Sequence, residues 1–322
     1  MVGKMSRLVT TWNRYWFRPA PLLDLAIARI VATSVQLFLL LFVRDRIDRA
    51  LRLAPLPDVF FKPLPALRLV ADLLGLSPRL VPDEIVFVAW VTIACGLLGM
   101  VGLMTNVSLL VFTLGNLLLN AFVYSFGEFH HTEGIMMLTL LILCLSPCGR
   151  VFSVDSVVVD FIRRRIGRRK DDTPILARMS VYARWPGLLV AWLYGLIYLS
   201  AAAAKISRGG LDWMNGYTLQ FNLLDSGVRS VTPLGVWLGQ QHHLLILLSW
   251  VVIVFESTFW IVPLVPRLTW VYVPLGISLH LGILLAMGPD FYEFFALYAA
   301  IIPWTAIASY FPQTRSTLNL II

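Results

Sequence analysis

The chain has 322 residues, 58% of them apolar and only 14% charged, with a formal net charge of +8 and a mean hydropathy of +0.79. A soluble domain carries about a quarter charged residues, so the composition excludes an ordinary water-soluble enzyme. The positive balance reads as a topology and lipid signal, with no nucleic-acid partner expected. Three cysteines (Cys95, Cys144 and Cys148) make no disulfide framework. The sequence has no Gly-rich phosphate loop and no zinc-finger spacing.

The N-terminal stretch MVGKMSRLVTTWNRYWFRP is basic and aromatic and lacks a signal-peptide cleavage site. Apolar runs of bilayer-crossing length follow at about 22–43, 84–104, 106–124, 132–147, 186–205, 244–265, 267–287 and 291–310, the fourth being short for a span. The expected fold is all-α: a polytopic transmembrane helix bundle of about eight spans, forming a single domain over 1–322 with no separate soluble domain. Within the first outer loop, LPALRLVADLLGL has the pattern of an interfacial amphipathic helix. A short helix is expected near GYTLQFNLL in the long loop 206–243.

Lys and Arg set the expected orientation. The loop Arg150–Arg184 carries RRRIGRRK and nine basic residues in all, which places it on the cytoplasmic side. Eight spans then put both termini in the cytoplasm, as the basic N-terminus agrees. The loop 44–83 conflicts, because it holds seven basic residues and falls outside. With this topology YSFGEFHHTE, the loop from Ile206 to His243, and GPDFYE face outward, and all five histidines lie in the outer half of the molecule.

Several ionisable residues stand out against this apolar background. Arg29 in LDLAIARIV and Glu256 in VIVFESTFW lie at similar depths, which allows an ion pair acting as a structural lock, with Asp24 as a competing partner for the arginine. His130 and His131 in GEFHHTEG read either as a polar helix start with Thr132 and Glu133 or as a proton relay. Cys144 and Cys148, four apart in LCLSPCG, read as reduced thiols, and Pro147 ends the helix there. Gly96, Gly99 and Gly102 are spaced for close helix packing.

Lys205, in YLSAAAAKISRGGLDWMNG, ends an apolar run. It is either a snorkelling lysine reaching headgroups or a desolvated amine able to act as a base. His280 lies about seven residues, or roughly 10 Å, inside the seventh run, where an ionisable group usually faces the bundle interior. His242 and His243 make a second histidine pair, and two such pairs could bind a metal, but neither pair has i, i+4 helical spacing, so no metal site is expected.

Taken in order, WNRYWFRPAPLLDLAIARI, HHTEGIMMLTLLILCLSPCGRVFSVD, ARWPGLLVAWLYGLIYLSAAAAKISRGGLDWMNG, FESTFW and SLHLGILLAMGPDF resemble the HTTM (horizontally transferred transmembrane) family. That family includes the membrane part of vitamin K-dependent gamma-glutamyl carboxylase, and the resemblance spans most of the chain. It implies an integral protein of a bacterial inner membrane with Lys205 as the base that deprotonates a reduced quinone (a vitamin K-like quinol). It implies catalytic roles for His131 and His280, and substrate contacts for His130, Trp213 and Asp290. The departures are Ala204 at the first of two lysines in the family motif, a longer loop after it, and no large outer domain before Ile322. Bacterial relatives imply redox or peptide-maturation chemistry at the outer face. The rival expectations are a non-catalytic membrane partner of an exported peptide or a thiol-disulfide oxidoreductase, and a small-molecule transporter.

Overall fold

A computed structural model of the chain describes residues 2–127, 132–166, 173–228, 230 and 232–311. It is all-α apart from one short antiparallel pair, Ala20–Pro21 with Met179–Ser180. In chain order the helices are α1 (Val2–Trp16), α2 (Leu22–Phe38), α3 (Arg46–Leu53), α4 (Pro65–Leu74), α5 (Pro82–Val101), α6 (Thr105–Tyr124), α7 (Thr132–Cys144) and α8 (Val154–Arg165). They continue as α9 (Arg184–Gly209), α10 (Tyr217–Gly227), α11 (Leu234–Gly239), α12 (His242–Thr258), α13 (Thr269–Met287), α14 (Tyr292–Tyr298) and α15 (Trp304–Ser309). The helices expected within LPALRLVADLLGL and near GYTLQFNLL are α4 and α10.

Six helical stretches among the described residues are long and apolar enough to cross a bilayer: Leu22–Val43, Pro82–Val101, Thr105–Tyr124, Arg184–Asn215, His242–Ile261 and Pro266–Met287. Their free faces carry large apolar side chains; on α5, Phe87 and Trp90 are both more than two-thirds exposed. A helix apolar on all sides is buried in protein or in lipid. The remaining two of the eight expected runs differ. The run 132–147 yields only α7, whose helix stops before Pro147, which supplies no N–H to continue it. The run 291–310 breaks into α14 and α15, separated by a turn that ends at Pro303.

The chain forms two compact units, residues 1–186 with 303–322, and Gly187–Ile302. In the first, α2, α5, α6 and α7 alternate in direction. Asn106 Nδ2 donates to the carbonyls of Cys144 and Ser146, so the end of α7 meets the start of α6. Tyr124, at the end of α6, donates its hydroxyl to Glu133 at the start of α7 (2.7 Å). Short as it is, α7 therefore returns the chain along the full length of α6. Small residues let these helices approach: a Cβ on Gly115 would lie 1.9 Å from Thr92 Oγ1, and one on Gly96 2.6 Å from Leu37. The expected glycine packing is thus observed for Gly96 and Gly99, which meet Phe112 and Leu109 of α6.

Gly102 has a further role. With φ +75° it ends α5 in the left-handed region, where an L side chain is strained. A Cβ there would also lie 2.4 Å from Ser153 Cβ.

In the second unit α9, α12 and α13 carry the length, and α14 packs an aromatic edge against them. Leu223, Leu245 and Ala286 form a small core beneath α10 and α11.

Candidate functional site

Lys205 sits about one turn before the end of α9. Helical side chains lean toward the helix N-terminus, so this lysine reaches back along α9 and away from its exposed end. Its ammonium lies 2.7 Å from both carboxylate oxygens of Glu256, which stands fourteen residues into α12. The Glu256 side chain is 8% exposed and that of Lys205 27%. The ammonium also lies 5.5 Å from the ring centroid of Trp213, within range of a cation–π attraction. Lys205 is therefore held by protein groups, its ammonium on Glu256 and beside Trp213.

The expected pair of Arg29 with Glu256 is replaced. Both Glu256 oxygens are occupied by Lys205, and Arg29 has other partners. In the first unit Arg29 is wholly buried and donates to the carbonyls of Cys148 (3.0 Å) and Phe152. A planar guanidinium can serve two carbonyls that diverge by the width of a turn, so Arg29 fixes the loop after α7. The Asp24 carboxylate accepts from the backbone N–H and hydroxyl of Thr305 at 2.7 and 2.8 Å.

Seven residues before Lys205, on the same face of α9, Tyr198 begins a second polar chain. Its hydroxyl lies 2.7 Å from His280 Nε2 and 2.5 Å from the hydroxyl of Tyr298. All three residues are buried. Phe291, Phe294 and Phe295 of the α14 edge pack around the imidazole, with ring centroids 5.0, 4.6 and 6.2 Å away. His280 Nδ1 is buried and has no hydrogen-bond partner among the described residues. Room for this chain comes from Gly276, where a Cβ would lie 1.9 Å from the Tyr298 hydroxyl. Tyr194 stacks on Tyr298 (4.8 Å, 21°) and donates its own hydroxyl to the Phe294 carbonyl, which fixes the layer.

Of the residues expected in a site, Lys205, Glu256 and Trp213 meet directly, and His280 lies one layer along α9. Asp290 is half-buried at the start of the aromatic edge. His130 and His131 lie outside the described residues. Tyr198, Tyr298 and Gly276 were not singled out from the sequence. The signal was present in part: Tyr194, Tyr198 and Lys205 are spaced i, i+4, i+11 on one helical stripe.

A separate polar cluster closes the other end of the first unit's helices. Glu133, 4% exposed, accepts from Arg46 and Tyr124, with Arg44 Nε 3.8 Å away. Arg46 also lies over the Tyr124 ring at 5.1 Å. This salt bridge ties the chain after α2 to the start of α7.

The class defined by these features is a polytopic helical protein with bilayer-length apolar helices and a part-buried Lys205–Glu256 ion pair in its second unit. Compared with protein-family models, with curated proteins and with solved structures, the chain matches none.

Proposed function

We propose that the protein is an integral membrane enzyme of the HTTM type, in which the Lys205–Glu256 pair accepts a proton from a lipid-soluble quinol. The observation that carries this reading is the pair itself: an ammonium held at 2.7 Å by both oxygens of one carboxylate, inside helices that are otherwise apolar. Ionisable residues within membrane helices are expensive and mark pathways or reaction sites by default. An aromatic layer and an apolar surround suit a ring-bearing, lipid-soluble molecule. A phenolic hydroxyl arriving beside the pair meets a carboxylate that can accept a hydrogen bond.

For Lys205 to take the proton, its ammonium must first return one to Glu256. Transfer across 2.7 Å turns the ion pair into a neutral amine and acid, a form that a low-dielectric site tolerates. Trp213 would cover the pair, and the His280–Tyr198–Tyr298 chain would orient the far side of the ring through the buried, unpartnered Nδ1 of His280. We place the basic loop in the cytoplasm and the site toward the outer face, in a bacterial inner membrane. The pairing of Ala20 with Ser180 and of Asp24 with Thr305 supports a shared side for the two termini, because both contacts lie at the end of the first unit that bears the basic loop.

The test is binding of a menaquinol analogue to the full chain in nanodiscs. Lys205→Gln, Glu256→Gln and His280→Gln should each weaken binding by about ten- to a hundredfold, the loss of a charged or buried hydrogen bond. Arg267→Gln, remote from the pair, should leave it unchanged. Equal binding by all four variants would refute the site.

A further inference from the structure

Helix α8 leaves a continuous apolar face uncovered. At 100° per residue, Val154, Val157, Val158, Phe161 and Ile162 fall within one arc of about 140°. Every one of these residues is exposed; Val157, Phe161 and Ile162 are 56%, 57% and 51% accessible. The opposite arc, with Asp155, Ser156, Asp160 and Arg163, lines a cavity of about 970 Å³. This helix is thus polar where it faces its own unit and apolar where it faces outward, the reverse of a helix packed on a soluble core.

Two further observations fix what lies outside. The first turn of α8 is tied to the entry of α6: Asp155 accepts from the N–H groups of Met104 and Thr105, both at 2.8 Å. It therefore lies at the level where a bilayer-length helix begins, which is the depth of lipid headgroups. The helix then ends in three consecutive arginines, Arg163, Arg164 and Arg165. The Arg165 guanidinium folds over the Phe161 ring at 5.2 Å, so its stem runs along the apolar face. Arg150 and Arg178 line the same cavity, and Asp160 lies 3.9 Å from Arg163 and 4.0 Å from Arg178.

We infer that α8 lies in the plane of the membrane interface, its apolar arc among acyl chains and its arginines on the phosphates of anionic lipids. An apolar arc beside a basic cluster fits such a surface. The inference rests on the reading of α2, α5 and α6 as membrane-spanning.

The experiment uses the full chain with Cys95→Ser in nanodiscs of phosphatidylcholine, with or without phosphatidylglycerol. Cys144 and Cys148 can stay: both are buried, and burial pushes the Cys148 thiol up to about 11. A nitroxide is placed at Val158→Cys on the apolar arc, at Val159→Cys on the cavity side, and at Phe87→Cys on the exposed face of α5. The labels at 158 and 87 should be accessible to oxygen and protected from a water-soluble nickel complex, and the label at 159 the reverse. Native mass spectrometry should show preferential retention of phosphatidylglycerol, falling about fivefold for each of Arg164→Gln and Arg165→Gln.

A label at 158 that meets the nickel complex, or neither reagent because protein covers it, overturns the inference while that at 87 stays in lipid. If 87 also meets the nickel complex, the membrane reading itself fails. Unchanged lipid retention in the arginine variants overturns the anionic part.

Discussion

Asp155 ties α8 to the start of α6 through both its carboxylate and its backbone. It caps the start of α6 through Met104 N–H, Thr105 N–H and the Thr105 hydroxyl, and its own N–H donates to the Gly102 carbonyl at 2.9 Å. Burial alone would raise its carboxyl above the usual range, but the bonds from Thr105 and Met104 outweigh it, and the net shift is downward. A carboxyl lowered on folding stabilises the fold above its unfolded value near ~3.9. That contribution is lost as pH falls through the lower, folded value. Asp155→Asn should therefore cost about 1 kcal/mol at neutral pH, a typical cap loss. It should also flatten the acid limb of a thermal-stability profile in detergent. A variant as stable as the parent, with the same acid limb, would show that the cap contributes nothing.

The same residue neighbourhood shows what a sequence conceals. Ser153 accepts from the Ser156 N–H at 3.0 Å to cap α8, a start that its residue type fits. The partner of Arg29 was not legible. Similar depth along two helices does not fix which faces meet, and backbone carbonyls leave no sequence signal. Arg29 pairs with carbonyls more than a hundred residues away.

At the scale of elements, the site depends on how closely α13 and α14 approach. Gly276 is the contact: without a Cβ it admits the Tyr298 hydroxyl, which carries the hydrogen bond to Tyr198 and on to His280. Gly276→Ala should push the ring out and break this chain, with a loss of about 1–3 kcal/mol from overpacking. The imidazole signals of His280 should shift by NMR while those of His242 and His243 remain. Parental spectra would mean that the hydroxyl chain is not built on this glycine.

The helix α9 stripe also explains why Lys205 was ambiguous from spacing alone. A lysine near a helix end satisfies the snorkelling pattern, and only the direction of its side chain, back toward Glu256, separates the two readings. Pro147 reads as the end of its helix, as observed, whereas the apolar run 291–310 continues through Pro303 and outweighs that punctuation.

Across the whole molecule, the all-α class and most helix positions followed from apolar run length, because in lipid every backbone group must be satisfied within the segment. The six long helices and the return of α7 along α6 agree with alternation of the first four runs. The basic loop 44–83 stays at the opposite end from the basic loop 150–184, since Arg46 meets Glu133 and Tyr124 there while Asp155 meets Thr105 at the other end. Charge counting alone had left these two loops in conflict. The structure explains part of it, for Arg46 is buried and paired, with Arg79 bound to Asp58 and to the Ala54 carbonyl, so neither is a free basic signal.

The account turns on whether the Lys205–Glu256 pair is a reaction site or a lock between helices. A buried pair replaced at both positions by apolar residues is often neutral or stabilising, whereas removing one partner costs about 3–5 kcal/mol. The most direct measurement is menaquinol-analogue binding by the Lys205→Met/Glu256→Leu double variant in nanodiscs, alongside its melting temperature. A reaction site predicts a folded protein with parental melting and binding lost. Parental binding by the folded double variant would contradict the account and leave the pair as a structural lock.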